Sequence, residues 1–182
     1  MALTESQKKA NVEMNVPIWV SILQHYDVPD NLIPLIISQI ILETGWFSSL
    51  AYKQDNNPGG ITWNAFYTTR PGTSKGRPRK EGGNYVHFIN LDVAAKDMIR
   101  ILSKSPGNPL SAINPTDYAH KLKINGYYAS SETDYARGLE SINNRINDWA
   151  DMASLLKKKN LTMAAINPFI ILLIVGFIWY KK

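Results

Sequence analysis

The sequence predicts a mainly helical α+β domain with a β-hairpin lobe over residues 1–156, followed by one C-terminal transmembrane helix within 157–182. Three observations predict it. Apolar residues recur at three-to-four spacing before residue 45 and after residue 90; the chain changes character between Asp55 and Gly83; and residues 161–180 carry no charge. Composition agrees: 182 residues, 45% hydrophobic and 19% charged, describe a folded chain rather than a disordered, collagenous or coiled-coil one.

In order along the chain, Val12, Val16, Trp19, Leu23 and Tyr26 place a first helix over Glu5 to Tyr26, closed by DVPDN. Asp30 or Asn31 caps a second helix with Pro34 in its opening turn. LIPLIISQIILE is so apolar that this helix must run through the core, and Gly45 ends it. Asn56-Asn57-Pro58-Gly59-Gly60 opens the hairpin lobe, with one strand expected over Ile61 to Thr69, a mobile polar tip PGTSKGRPRKEGG, and a second strand over Tyr85 to Ile89. Helices are expected again from Asn90 or Leu91 to Leu102, from Asn114-Pro115 to Lys123, and from Glu132 to Lys159.

The segment 161–180, LTMAAINPFIILLIVGFIWY, spans about 30 Å as a helix. Its 11 Leu, Ile, Val and Phe residues contribute roughly −0.3 to −0.6 kcal/mol each, on the order of −3 to −7 kcal/mol together. The formal charge of +5 belongs to this anchor: residues 1–156 balance 15 Lys and Arg against 15 Asp and Glu, and Lys157, Lys158, Lys159, Lys181 and Lys182 are the surplus. A lipid bilayer is therefore an expected partner. Nucleic acid is not, because a neutral domain gains little from counterion release. The opening MALTESQKKANVEMN has no apolar run after its charges, so no cleavable secretory signal is expected. Cysteine is absent, which removes disulfides and thiolate chemistry. His25, His87 and His120 lack ligand spacing, so neither a metal nor another cofactor is expected.

Glu43 is the most informative residue. Its neighbours one and two turns back are Ile40, Gln39 and Ile36, it stands at a helix C-terminal end, and Trp46 and Phe47 follow it. Apolar surroundings and the helix dipole both raise a carboxyl pKa, which suits a general acid for glycosidic-bond cleavage.

Around it stand Glu43-Thr44-Gly45-Trp46, Ser48, Leu50-Ala51, Asn56-Asn57 and Gly60-Ile61. Further on come Tyr85-Val86-His87-Phe88, Tyr118-Ala119, Leu122, Gly126-Tyr127 and Asp134-Tyr135-Ala136. Over about residues 30 to 150 this pattern resembles the family 73 glycoside hydrolases, peptidoglycan-cleaving endo-β-N-acetylglucosaminidases with a lysozyme-like fold. The resemblance implies that Glu43 protonates the leaving oxygen between N-acetylglucosamine and N-acetylmuramic acid. It implies a second carboxylate in the hairpin lobe, where Glu81 is the acidic residue between Ile61 and Ile89. Glu81 has an equal reading as a counter-charge to Arg77, Arg79 and Lys80 on a solvated tip. Without it, the substrate's 2-acetamido group acts as nucleophile, or the chemistry is that of a single-acid lytic transglycosylase.

Tyr127 matches the family's Gly-Tyr-Ala tyrosine, a hydrogen-bonding partner for substrate or carboxylate, and Tyr128 is the alternative because the chain reads Gly-Tyr-Tyr-Ala. Trp46, Trp63 and Tyr67 are candidates to stack on sugar faces, with core packing the competing role for each. Asn57 shapes the turn into the hairpin, with substrate contact second.

The combined expectation is a membrane-anchored peptidoglycan hydrolase. A cytoplasm-made domain on one C-terminal span suits a phage with an internal lipid membrane, with capsid or other virion proteins as further partners; the alternatives are location in a bacterial envelope, or a structural virion or envelope protein that binds glycan without cleaving it.

Overall fold

The computed structural model describes residues 2–104 and 106–157. Helix α1, Glu5–His25, begins on a capping box in which Thr4 and Gln7 satisfy each other's backbone N–H groups. A left-handed Asp27 turns the chain back into α2, Ile33–Thr44. Leu32, in helical conformation and without a side-chain bond, takes the N-cap position expected of Asp30 or Asn31, and the proline in the opening turn does the pre-organising. A short helix unforeseen in the sequence, α3, Leu50–Asp55, follows with Ser49 as its cap.

The hairpin lobe differs from expectation in its first strand. Strand β1 is Thr73–Pro78, drawn from the segment expected to be a mobile tip, and it pairs antiparallel with β2, Asn84–Phe88. Residues 61–69 instead contribute one isolated bridge, Thr62 to Tyr85, and a 3-10 turn at Ala65–Tyr67 capped by Asn64. The physical reason is packing. The turn folds Tyr67 into a small second core with Val86, Phe88 and Ala94, while β1 is held through its backbone and needs few apolar side chains. Gly76 permits that approach, since a Cβ there would lie 2.9 Å from the Tyr85 carbonyl oxygen. The turn between the strands is Arg79 to Gly83, with left-handed glycines at 82 and 83.

Helices α4, Leu91–Leu102, α5, Pro115–Ile124, and α6, Glu132–Ala150, complete the fold. Asparagines 90 and 114 and Ser131 cap them through their side chains. The last helix does not run unbroken to residue 159: Asp151 adopts φ 42, and residues 152–157 form a separate helical segment. The main core surrounds α2, whose Ile33, Ile36, Ile37, Ile40 and Ile41 have no exposed surface. Helices α1 and α6 pack against it and against each other. Among the described residues no helix is long and apolar enough to cross a membrane. The expected span at 161–180 and the lysines around it, apart from Lys157, lie outside the described residues.

Candidate active site

Glu43 occupies the last turn of α2, and the chain after it is held in an uncommon path. Gly45, Trp46 and Phe47 all take positive φ, at 55°, 63° and 58°. For two bulky side chains this conformation is strained and persists only when the surroundings over-determine it. They do. The Thr44 hydroxyl donates to the Ile40 carbonyl at 2.6 Å and accepts from the Phe47 amide at 3.0 Å. The Asn11 amide donates to the Trp46 carbonyl at 2.9 Å, and Phe47 is 98% removed from solvent, its 2% exposure fixing it in the core.

Glu43 itself is exposed over its surface, yet burial is the largest influence on its carboxyl and pushes its pKa up. The two facts agree if protein surrounds the group on several sides and leaves one open. The opposing influence is the hydroxyl of Tyr135, which donates to Glu43 Oε1 at 2.9 Å and favours the ionised form. Among the described residues no lysine or arginine pairs with Glu43.

Tyr135 is buried in the first turn of α6, its ring stacked on Tyr128 at 3.8 Å between centroids and 5° between planes. Tyr128 is fixed in turn by its hydroxyl, which donates to the Ala119 carbonyl at 2.9 Å. The sequence places Tyr135 in the family pattern but does not single it out as a site residue. Its available signal was position: a tyrosine in the opening turn of an amphipathic helix, just after the Gly-Tyr-Tyr-Ala segment.

Tyr127 reaches the same region from the loop after α5, where Gly126 takes φ 68. Its hydroxyl points to the Gly59 carbonyl at 3.5 Å, and a Cβ on residue 59 would lie 2.6 Å from it. Burial raises the Tyr127 pKa most, the Glu43 charge raises it further, and Gln39 opposes both. Tyr127 therefore lies within electrostatic reach of Glu43 and joins the helical lobe to the Asn56–Gly60 turn.

The other candidates are distributed differently. Asn57 is buried and fully engaged: its amide donates to the carbonyls of Ile61 and Val86 at 2.8 and 2.9 Å and its oxygen accepts from the Ile61 amide at 2.8 Å. It shapes the turn. Tyr67 is buried in the second core, with its hydroxyl donating to Asp97 at 2.7 Å, which leaves no open ring face for a sugar. Trp63 packs beside it, half-buried. Trp46 is flanked by Trp149 at 5.6 Å and by the cations of Lys8 and Arg145 at 5.3 and 5.6 Å, on the side of α1 and α6. Glu81 stands on the turn between the strands, 68% exposed, 3.8 Å from Arg79. Among the described residues no cluster of His, Cys, Asp or Glu is arranged to hold a metal ion.

A family model, Glucosaminidase, described as mannosyl-glycoprotein endo-beta-N-acetylglucosaminidase, matches residues 16–148. No curated protein matches. Among solved structures the chain is similar to a peptidoglycan hydrolase from Sphingomonas sp. A1, with 19% identity and a TM-score of 0.58 over 78% of this chain and 95% of that one. It is also similar to the glycoside hydrolase domain from Salmonella typhimurium FlgJ, with 18% identity and a TM-score of 0.56 over 88% and 99%. The catalytic domain of the autolysin Auto from Listeria monocytogenes gives 19% identity and a TM-score of 0.52 over 86% and 90%. At these identities the likeness is one of fold, and it bears out the lysozyme-like, mainly helical architecture.

Proposed function

This chain belongs to the Glucosaminidase family of glycoside hydrolases, and from that membership we propose that it cleaves the glycan strand of peptidoglycan at the β-1,4 bond between N-acetylglucosamine and N-acetylmuramic acid. The observation that carries the proposal is the Glu43–Tyr135 pair: a carboxyl pushed up by burial, open to solvent on one side, without a cationic partner among the described residues and steadied by one phenol at 2.9 Å. A carboxyl in that state is protonated to higher pH than an ordinary glutamate and can give its proton to the departing glycosidic oxygen. The carboxylate left behind accepts the Tyr135 hydrogen bond more strongly than the acid did, so the phenol stabilises the state that proton transfer creates. The neighbours whose names mention peptidoglycan hydrolase activity support the choice of substrate.

Purified peptidoglycan in a zymogram tests the proposal. Clearing by the wild type, lost in Glu43→Gln with unchanged circular dichroism, is expected; a folded wild type that clears nothing under any condition points to a glycan-binding structural protein. Glu81 is examined in the same assay. Loss in Glu81→Gln equal to that in Glu43→Gln gives it the second-carboxylate role, whereas retained clearing leaves the anomeric carbon to the substrate's own acetamido oxygen or to the transglycosylase route. Mass analysis of the products separates those two, since transglycosylation leaves an anhydro end.

The anchor belongs to the same reading. Twenty uncharged residues, 161–180, between lysines support insertion in a bilayer, and a phage with an internal membrane would carry such a domain towards the cell envelope. Flotation of the full chain with liposomes, and its loss on truncation after residue 157, tests the anchor; detection in purified virions tests the phage setting.

A further inference from the structure

Helix α1 buries one side against α2 and α6 and turns the other to solvent. The exposed side holds Ala10, Met14, Pro17, Ile18 and Ser21, which fall within about 100° of the helix circumference and form one stripe. None is charged. Met14 is 68% exposed and Ile18 45%. The exposed side of α6 is built in the opposite way, with Asp134, Arg137, Glu140 and Asp148, as a helix face meant only for water is. A lone exposed apolar residue needs no explanation. Two of them on an uncharged stripe do, because of what leaves the domain beside it.

The described chain ends on the border of this stripe. The Gln24 amide donates to the Leu156 carbonyl at 3.0 Å, and Leu155 and Leu156 pack against the main core, so the point of departure is fixed. Around α1, Gln24 lies about 20° from Pro17 and about 60° from Ser21. The segment 152–157 thus covers the flank of α1 next to the stripe and leaves the stripe itself open. Lys157, Lys158 and Lys159 come next, and the uncharged run begins at Leu161. Five residues reach at most about 17 Å from Leu156. Along the axis Ile18 is about 9 Å from Gln24 and Met14 about 15 Å. A bilayer that takes up residue 161 therefore lies within reach of the stripe.

We propose that this stripe, Met14 and Ile18 foremost, is a membrane-contacting surface that lies on the interface of the bilayer receiving residues 161–180. The inference rests on the anchor reading above and adds a second point of contact to it. The apolar side chains enter the headgroup boundary, and the three lysines attract anionic headgroups beside them. Lys9 and Glu13, at the border of the stripe and 3.8 Å apart, add no net charge. Two points of contact fix the tilt of the domain on the membrane, which a single tether leaves open.

The chain has no native cysteine, so a fluorophore attached through Met14→Cys, Ile18→Cys or Ile113→Cys is unique. Ile113, 81% exposed on the loop before α5, is the control. The full chain is reconstituted in vesicles of phosphatidylcholine and phosphatidylglycerol that carry a lipid nitroxide-labelled near its headgroup. Quenching at positions 14 and 18 is expected to be about two to three times that at 113. Flotation with equal quenching at all three positions overturns the inference and leaves the anchor standing, whereas a chain that does not float overturns both. The second measurement places the fluorophore through Ser21→Cys and adds Met14→Glu with Ile18→Glu, exposed positions whose replacement leaves the core intact. Contact predicts that the chain still floats and that quenching at 21 falls by about half. Unchanged quenching means that the tether alone brings α1 near the lipid, and it overturns the inference. A label at 18 that is shielded yet insensitive to the nitroxide lipid reports a second copy of the chain on the stripe and overturns it as well. None of these readings depends on activity towards peptidoglycan.

Discussion

Replacing Tyr135 with phenylalanine removes one oxygen and leaves the ring where it is, because the stack on Tyr128 at 3.8 Å and the burial of the ring do not depend on the hydroxyl. What is lost is the 2.9 Å bond to Glu43 Oε1. That bond is worth about 1.5–3 kcal/mol to a carboxylate and about 0.5–1.5 kcal/mol to the neutral acid. The difference, roughly 1–1.5 kcal/mol, is withdrawn from the ionised form alone, and it corresponds to about one pH unit. The direction follows from the role of the group. On the proposed role Glu43 must be protonated to act as an acid, so activity is expected to fall as pH rises through its pKa, and removing a hydrogen bond that favours the carboxylate moves this basic limb upward. The same loss raises the barrier, since the carboxylate is forming in the transition state, and lowers the maximal rate on the order of tenfold. Clearing of purified peptidoglycan followed by turbidity across about pH 4 to 9 measures both. A basic limb that stays in place or moves down in Tyr135→Phe would falsify the assignment of Tyr135 as the partner of the acid.

Three further outcomes are expected. Glu43→Gln keeps an acceptor for Tyr135 but cannot ionise. Because the folded pKa of Glu43 lies above its unfolded value, the native protein loses stability as pH rises through the folded pKa, so the variant should melt higher than the wild type above that pH and show no advantage below the unfolded value; the gain is small because the side chain is open to solvent. Gly59→Ala forces a Cβ to 2.6 Å from the Tyr127 hydroxyl and should cost about 1–3 kcal/mol in urea denaturation. Tyr127→Phe in the same chain should restore most of that loss, and failure to restore it means that the hydroxyl is not the obstacle. Asn57→Ala strips the turn into the lobe of bonds to Ile61 and Val86 and should destabilise by roughly 2–4 kcal/mol, read from the denaturation midpoint.

The helices were legible because burial repeats along them: Val12, Val16, Trp19 and Leu23 carry a stripe that only one period explains, and α2 is apolar enough to leave no alternative to the core. Helix α3 escaped because six residues, LAYKQD, are too few to display a period, and its cap, Ser49, is an ordinary loop residue by composition. Strand β1 escaped for a different reason. Residues 73–78 pair through backbone groups, with Arg77 bound to Asp55 at 2.6 Å and the Asn84 amide to the Gly76 carbonyl at 2.9 Å, and none of this writes an apolar alternation into the sequence. The aromatic run before it looked like a strand because of its aromatic and β-branched residues, yet of these only Tyr67 is buried, in a 3-10 turn. At the candidate site, the place of Glu43 in the last turn of an apolar helix was legible from that helix alone. Its partner was not, since residues 43 and 135 meet only because α6 packs on α2, and nothing local to either position announces that contact.

The left-handed turn after Glu43 ties these points together. Two bulky residues in that conformation cost roughly 1–2 kcal/mol each, which a fold has no reason to bear at an ordinary helix end. Here the turn stops α2 within two residues of Glu43, so the carboxyl stands at the negative end of the helix dipole with no further turn of helix to carry it away from the core. The same turn drives Phe47 into the core and brings the Trp46 carbonyl to Asn11 at 2.9 Å, fastening the strained segment to α1. A relaxed path, with one more helical turn, would bury less of the following chain and move the dipole's end beyond Glu43. The raised pKa of Glu43 comes from its burial, and the hydrogen bonds of Thr44 and Asn11 hold the strained turn that follows it.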